Sequence, residues 1–210
     1  MMMEFLYSID KALFVFFNQT LQNSVLDIVM PFLTDLNKSP VVLVTVGVLW
    51  IALLVRGGRN GRAAALLLVP TIAFSDQLNS SYVKHLFERI RPCHVLDDVR
   101  LLVNCGSGFS FPSSHAVNNF AGAFVLAYFI PRGAWGFWIF SSLVAFSRVY
   151  VGVHYPADVV AGALLGVGCG ALVVIGYERI AKAVRDRKIC QPQEHDISSD
   201  EIDNADNNEK

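Results

Sequence analysis

The sequence is poor in charge. Asp, Glu, Lys and Arg make up 17% of its 210 residues and hydrophobic types 53%, where a soluble domain carries about 25% charged and roughly 45–50% apolar residues. Mean hydropathy is +0.44. These proportions exclude an ordinary soluble domain, a disordered chain and a disulfide-dense secreted scaffold. No basic run is present, which excludes the electrostatic footprint of a nucleic-acid binder. The four cysteines, Cys93, Cys105, Cys169 and Cys190, show no Cys-x-x-Cys spacing, so a zinc module is not expected. Met1 to Glu4 lack the basic stretch that opens a cleaved signal peptide. No repeat with the roughly 20–50-residue period of a solenoid is visible. An integral membrane protein is the class that remains.

A bilayer core about 30 Å thick needs about 20 mostly apolar helical residues. Five segments approach this: 40–55, 63–74, 113–130, 134–146 and 156–177. Ser39 can cap the first, and Pro40 suits its first helical position. The last is rich in small residues, including Gly162, Gly166, Gly168 and Gly170, which let helices approach closely. Residues 1–36 read differently. Phe5, Leu6, Ile9, Leu13, Phe16 and Phe17 recur at helical spacing with polar residues between them, and Asp27 and Asp35 interrupt the continuation. This predicts two short amphipathic helices lying in the interface or packed on the bundle, with a sixth span as the alternative. The expected fold is all-α, an integral membrane bundle of five or six helices. Its expected parts are amphipathic helices at 1–36, a transmembrane domain at 37–188 and a tail at 189–210.

That tail holds seven acids against Lys210 alone and no aromatic residue, so it cannot bury a core and is expected to be disordered. The net charge of −1 thus hides a basic remainder. Arg56, Arg59 and Arg62 between the first two spans, Arg132 between the third and fourth, and five basic residues at 178–188 fall on one side of a five-span topology. The positive-inside rule makes that side, and the C-terminus, cytoplasmic. Segments 84–112 and 147–156 then lie on the outer face.

The outer face collects Lys84, Arg91, Ser113, His115, Arg148, His154 and Asp158. Charges beside a membrane are costly and mark function. Three cations converging on a helix start form an anion site, with Arg matching the fork of a phosphate and Lys adding a point charge. The Pro112-Ser113-Ser114-His115 turn offers free N–H groups and hydroxyls to the same anion. Asp158 lies one turn beyond His154. A carboxylate on one ring nitrogen fixes the tautomer and frees the other as a nucleophile. A protonated His115 can donate to a departing oxygen. The set suits phosphoryl transfer.

Lys84, six residues, Arg91-Pro92; then Pro112-Ser113-Ser114-His115; then Ser147-Arg148, five residues, His154, three residues, Asp158: this series resembles the three-part signature of the type 2 phosphatidic acid phosphatase superfamily, membrane lipid phosphatases that share their site with vanadium haloperoxidases. The resemblance implies that Lys84, Arg91, Arg148, Ser113 and the Ser114 backbone bind phosphate. It implies that His154 becomes phosphohistidine, Asp158 orients it and His115 protonates the leaving group. It implies no metal or other cofactor. The second motif departs from the usual Pro-Ser-Gly-His, because Ser114 stands where glycine is common and places a side chain next to the phosphate.

Taken singly, these residues have plainer explanations. A lone histidine at a helix start is usually a polar interface residue, Arg148 a snorkelling anchor, and His154 with Asp158 half of a zinc site; the joint spacing argues against all three. Arg89 reads as a surface residue, as do His85, His94 and His195. Asp76 either orients Lys84 or sits at the outer interface. Cys93 and Cys105 share the outer loop, where disulfides are permitted. They are either bridged, closing a loop worth about 3 kcal/mol, or two separate buried thiols. The expected substrate is a lipid phosphate or diphosphate, with undecaprenyl diphosphate first. Lipid A 1-phosphatase, phosphatidylglycerophosphate phosphatase and lipid phosphotransferase activity are the alternatives. Membrane lipids are the expected surroundings; neither nucleic acid nor an obligate protein partner is implied.

Overall fold

Pro40, Pro92, Pro131 and Pro156 each stand in the first turn of a helix, where a fixed φ is pre-organised and the missing N–H is not needed. The computed structural model describes residues 2–189, apart from the side chains of Met3, Lys188 and Ile189; the acidic tail and Cys190 lie outside the described residues. The helices are α1 (Met2–Val15), α2 (Ser24–Thr34), α3 (Pro40–Arg56), α4 (Gly58–Leu78), the short α5 (Lys84–Phe87) and α6 (Pro92–Val95), then α7 (Ser114–Phe129), α8 (Ala134–Tyr150) and α9 (Pro156–Ile189). Among the described residues there is no strand. The chain divides into two units, residues 1–174 and 175–210.

The five segments expected to span are α3, α4, α7, α8 and α9. By length and composition α9 alone among the described helices suffices to cross a bilayer, and α3 is a shorter apolar helix. The rest fall short for identifiable reasons: α4 carries Arg59, Arg62 and Asp76, while α7 has 16 residues and α8 has 17. α3 buries no residue and exposes Val41, Val44, Leu49 and Val55.

Close approach of α9 to α7 sets up the site. A Cβ on Gly162 would stand 2.8 Å from the Ser113 carbonyl oxygen, and one on Gly166 would stand 2.2 Å from that of Val117. Only glycine allows this spacing. It seats the first turn of α9 on the start of α7, where the Ser113 N–H donates to the Asp158 carbonyl at 3.0 Å.

α1 and α2 are present, as the helical spacing implies, and pack on the end of α8. Phe14 sits with Val149 and Tyr155, and Met30 with Tyr150, Val151 and Val153. Phe14 is fully buried, so Phe14→Ala is expected to cost about 3–5 kcal/mol. Asp27, which interrupts the apolar pattern, accepts the Tyr150 hydroxyl at 2.6 Å and pairs with Arg100. Buried Asn18 bonds both the carbonyl and the N–H of Arg100 and the carbonyl of Tyr150. The chain then turns at Gly152, φ +90°, where a Cβ would meet Val99 and the Arg100 carbonyl. This turn delivers His154.

Candidate active site

His154 lies on the short connection between α8 and α9, 2% exposed. Its Nδ1 stands 3.5 Å from Asp158 Oδ2 and 3.4 Å from Ser110 Oγ. With the ring proton on Nδ1 facing the carboxylate, Nε2 keeps its lone pair. Nε2 points to Arg91, whose Nη1 is 3.4 Å away. Burial pushes the His154 imidazole down to about 3, against the pull of Asp158, so the ring is neutral and nucleophilic at physiological pH.

Arg91 stands at that nitrogen, and Lys84 and Arg148 lie close enough to Arg91 to feel its charge. Arg91 is braced by the Gly108 carbonyl at 2.8 Å. Lys84 donates to the Phe109 carbonyl at 2.7 Å, and burial together with the neighbouring Arg91 lowers it to about 8. Arg148 is 7% exposed and donates through Nη1 to Thr34 at 2.8 Å, while its Nε has no partner. Ser113 Oγ is also buried without a partner. Buried polar groups are nearly always satisfied, so orphans need an explanation. Two of the four such atoms among the described residues sit on residues that sequence assigns to phosphate; the others are on Asn79 and Arg100.

Ser114 does not crowd that space, because its hydroxyl accepts from Asn79 at 2.9 Å. Its N–H belongs to the first turn of α7, where donors lack helical acceptors. His115, half-buried on the same turn, lines a cavity of about 540 Å³ with apolar walls from α2, α3, α4 and α8 and polar residues from α7.

Three site residues were not read from the sequence. Ser110 donates to Asp158 Oδ2 and approaches His154; a lone serine in an irregular loop gives no signal. Arg89, expected at the surface, is instead paired with Asp158 at 2.7 Å and with Asp10 at 2.6 Å. The apolar spacing of α1 marked Asp10 only as polar; it is in fact buried. Asp76 accepts from Asn118 at 2.9 Å and acts on Lys84 through its charge. Cys93 and Cys105 form a disulfide with Cα atoms 6.3 Å apart.

The model of the PAP2 superfamily matches residues 63–182, which include every motif residue from Lys84 to Asp158. The chain belongs to the PAP2 superfamily. It is 34% identical to a lipid A 4'-phosphatase of Bacteroides thetaiotaomicron over 79% of this chain and 75% of that one. It is 29% identical to undecaprenyl-diphosphatase BcrC of Bacillus subtilis over 71% and 74%. A transmembrane PAP2-type phosphatidylglycerolphosphate phosphatase from Bacillus subtilis superposes with a TM-score of 0.64 at 28% identity, covering 83% of this chain and 87% of that one. This PAP2 chain is a lipid phosphatase, a hydrolase, and its all-helical fold matches that of a membrane enzyme.

Proposed function

We infer that this PAP2 enzyme removes phosphate from a membrane lipid by double displacement at His154. Nε2 attacks phosphorus, and the bond to the leaving oxygen breaks as His115 gives that oxygen its proton. Water then attacks the phosphohistidine, with His115 taking the proton back, and inorganic phosphate leaves. Lys84, Arg91, Arg148, Ser113 and the Ser114 N–H hold the phosphoryl oxygens, where fixed charges and dipoles act on developing charge without reorganising. In this reading α3, α4, α7, α8 and α9 span the bilayer, Arg56, Arg59, Arg62 and Arg132 face the cytoplasm, and the site opens at the outer (periplasmic) face of the plasma membrane. The domain limits 1–36, 37–188 and 189–210 are part of the same reading.

The cavity beside His115 carries the substrate assignment. It adjoins the acid, so it receives the leaving group. Its lining contains Asp76, Asn118 and Asn119 and no Lys or Arg. A diphosphate would leave a second phosphate here. Two like charges about 6 Å apart repel by about 3 kcal/mol at an effective dielectric near 20. A leaving alcohol flanked by hydroxyl or amide N–H groups would instead donate to Asp76. The cavity therefore favours a phosphate monoester on a hydroxyl- or amide-bearing head group, as on lipid A or a glycerolipid. Undecaprenyl diphosphate is the second reading, supported by the relative of that activity. Phosphate release by the purified enzyme from lipid A, phosphatidylglycerophosphate and undecaprenyl diphosphate separates the two. The monoesters should be faster by at least about tenfold, roughly 1.4 kcal/mol; a diphosphate preference of that size would reverse the assignment. Adding an acceptor lipid and finding it phosphorylated would make the enzyme a phosphotransferase.

A further inference from the structure

Asp158 is fully buried, and a buried carboxylate must be paired and hydrogen-bonded. One side of it is accounted for by its own neighbourhood: Oδ2 faces His154 and accepts from Ser110 and from the Tyr155 N–H at 2.8 Å. The other oxygen depends on a residue at one of the six unspecified positions of the first motif. Arg89 Nη1 donates to Asp158 Oδ1 at 2.7 Å, and Nη2 donates to Asp10 Oδ2 at 2.6 Å. The guanidinium carbon lies 4.0 Å from the Tyr155 ring centroid and 5.8 Å from that of Tyr7. Asp10 in turn accepts the Ala157 N–H through Oδ1 at 2.8 Å, a first-turn donor of α9 that has no helical partner.

The geometry points to Arg89, held by Asp10 of α1, as a positioning residue for the nucleophile. This rests on His154 being that nucleophile. The chain of contacts runs from α1 through Arg89 to Asp158 and on to His154 Nδ1. Asp10 ties Arg89 and the first turn of α9 to one carboxylate, so the N-terminal helix belongs to the catalytic centre and does more than lie on the bundle. Arg89 touches neither Nε2 nor the three phosphate cations. Its loss therefore leaves the anion pocket intact and leaves two buried carboxylates, Asp10 and Asp158, facing each other with no cation between them. Lysine keeps the charge but cannot fork to both.

The test measures turnover of Arg89→Lys, Arg89→Ala and Asp10→Asn in detergent or nanodiscs. Active enzyme is counted by phosphohistidine trapped with an alkaline denaturing quench, which preserves the N–P bond, from a radiolabelled lipid phosphate. Per active site, kcat should fall about 100-fold or more in Arg89→Ala and about tenfold in Arg89→Lys and Asp10→Asn, with KM within about twofold of wild type. Guanidinium in the buffer should restore part of the Arg89→Ala rate. Three outcomes overturn the proposal: KM rising with kcat unchanged, which makes Arg89 a substrate contact; fewer active sites at an unchanged rate per site, which makes the pair purely structural; or full activity. If wild-type enzyme forms no phosphohistidine while releasing phosphate, the nucleophile assignment itself fails, which is a different result from any of these.

Discussion

On one flank of His154 both oxygens of Asp158 are engaged, by Arg89 on one side and by Ser110, the Tyr155 N–H and His154 on the other. On the opposite flank Ser113 Oγ and Arg148 Nε are buried with nothing to bond, and His115 borders an open cavity. The site thus combines a finished hydrogen-bond network around Asp158 with an unfinished one of buried atoms that lack a partner. In the proposed mechanism the finished side holds His154 in one tautomer before substrate arrives. In the proposed mechanism a phosphate would supply the partners that the unfinished side lacks.

The largest effect should come from the finished side. His154→Ala should lower turnover by about 10⁴-fold or more, as loss of a covalent nucleophile does, and abolish the phosphoenzyme. Asp158→Asn should fold and still slow the reaction by upsetting the tautomer. His115→Ala, on the open side, should cost about 10²–10⁴-fold with lipid substrate, and much less with p-nitrophenyl phosphate, whose leaving group needs no proton. An equal loss on both substrates would mean that His115 is not the acid.

Stability separates the flanks next. Ser110→Ala removes a donor to a buried carboxylate and should cost about 1–3 kcal/mol. Ser113→Ala removes an orphan and should stay within about 0.5 kcal/mol while weakening phosphate binding. Thermal unfolding of both variants, with and without vanadate, measures the contrast; vanadate should stabilise wild type more than Ser113→Ala.

The pH dependence is milder. Lys84 is lowered to about 8, by burial first and Arg91 second. It is charged below that value and loses its proton as pH rises through it, so KM should climb above pH 8 while kcat at saturation holds, because a bound dianion keeps the ammonium charged. Lys84→Arg should remove the climb. His154, held down to about 3, should contribute no acid limb between about pH 5 and 8. The smallest effect on rate is expected at the Cys93–Cys105 bridge. Serine at both positions should lower stability by about 3 kcal/mol and change turnover only a few-fold, since Gly108, Phe109 and Ser110 make their site contacts beyond it.

The helices, the three motifs and the amphipathic character of α1 and α2 were legible in the sequence because each is a local pattern. Periodicity, a proline at a helix start and a fixed spacing such as His154 to Asp158 depend only on neighbours along the chain. Even the closeness of α9 to α7 was foreshadowed by the glycines at 162, 166 and 170. Arg89 shows where local reading stops. From sequence it is one more arginine beside Arg91, and nothing nearby tells which points to solvent and which to the catalytic carboxylate. Asp10 lies 148 residues before Asp158, so their joint hold on Arg89 exists only after α1 docks on the end of α8. Ser110 and the Gly108 and Phe109 carbonyls are likewise supplied by an irregular loop whose path has no sequence period. The sequence by itself determined the chemistry available and the helices that carry it. The tertiary structure alone decided which buried groups near His154 find protein partners and which do not, because hydrogen-bond satisfaction of a buried group is settled by partners that chain distance does not encode.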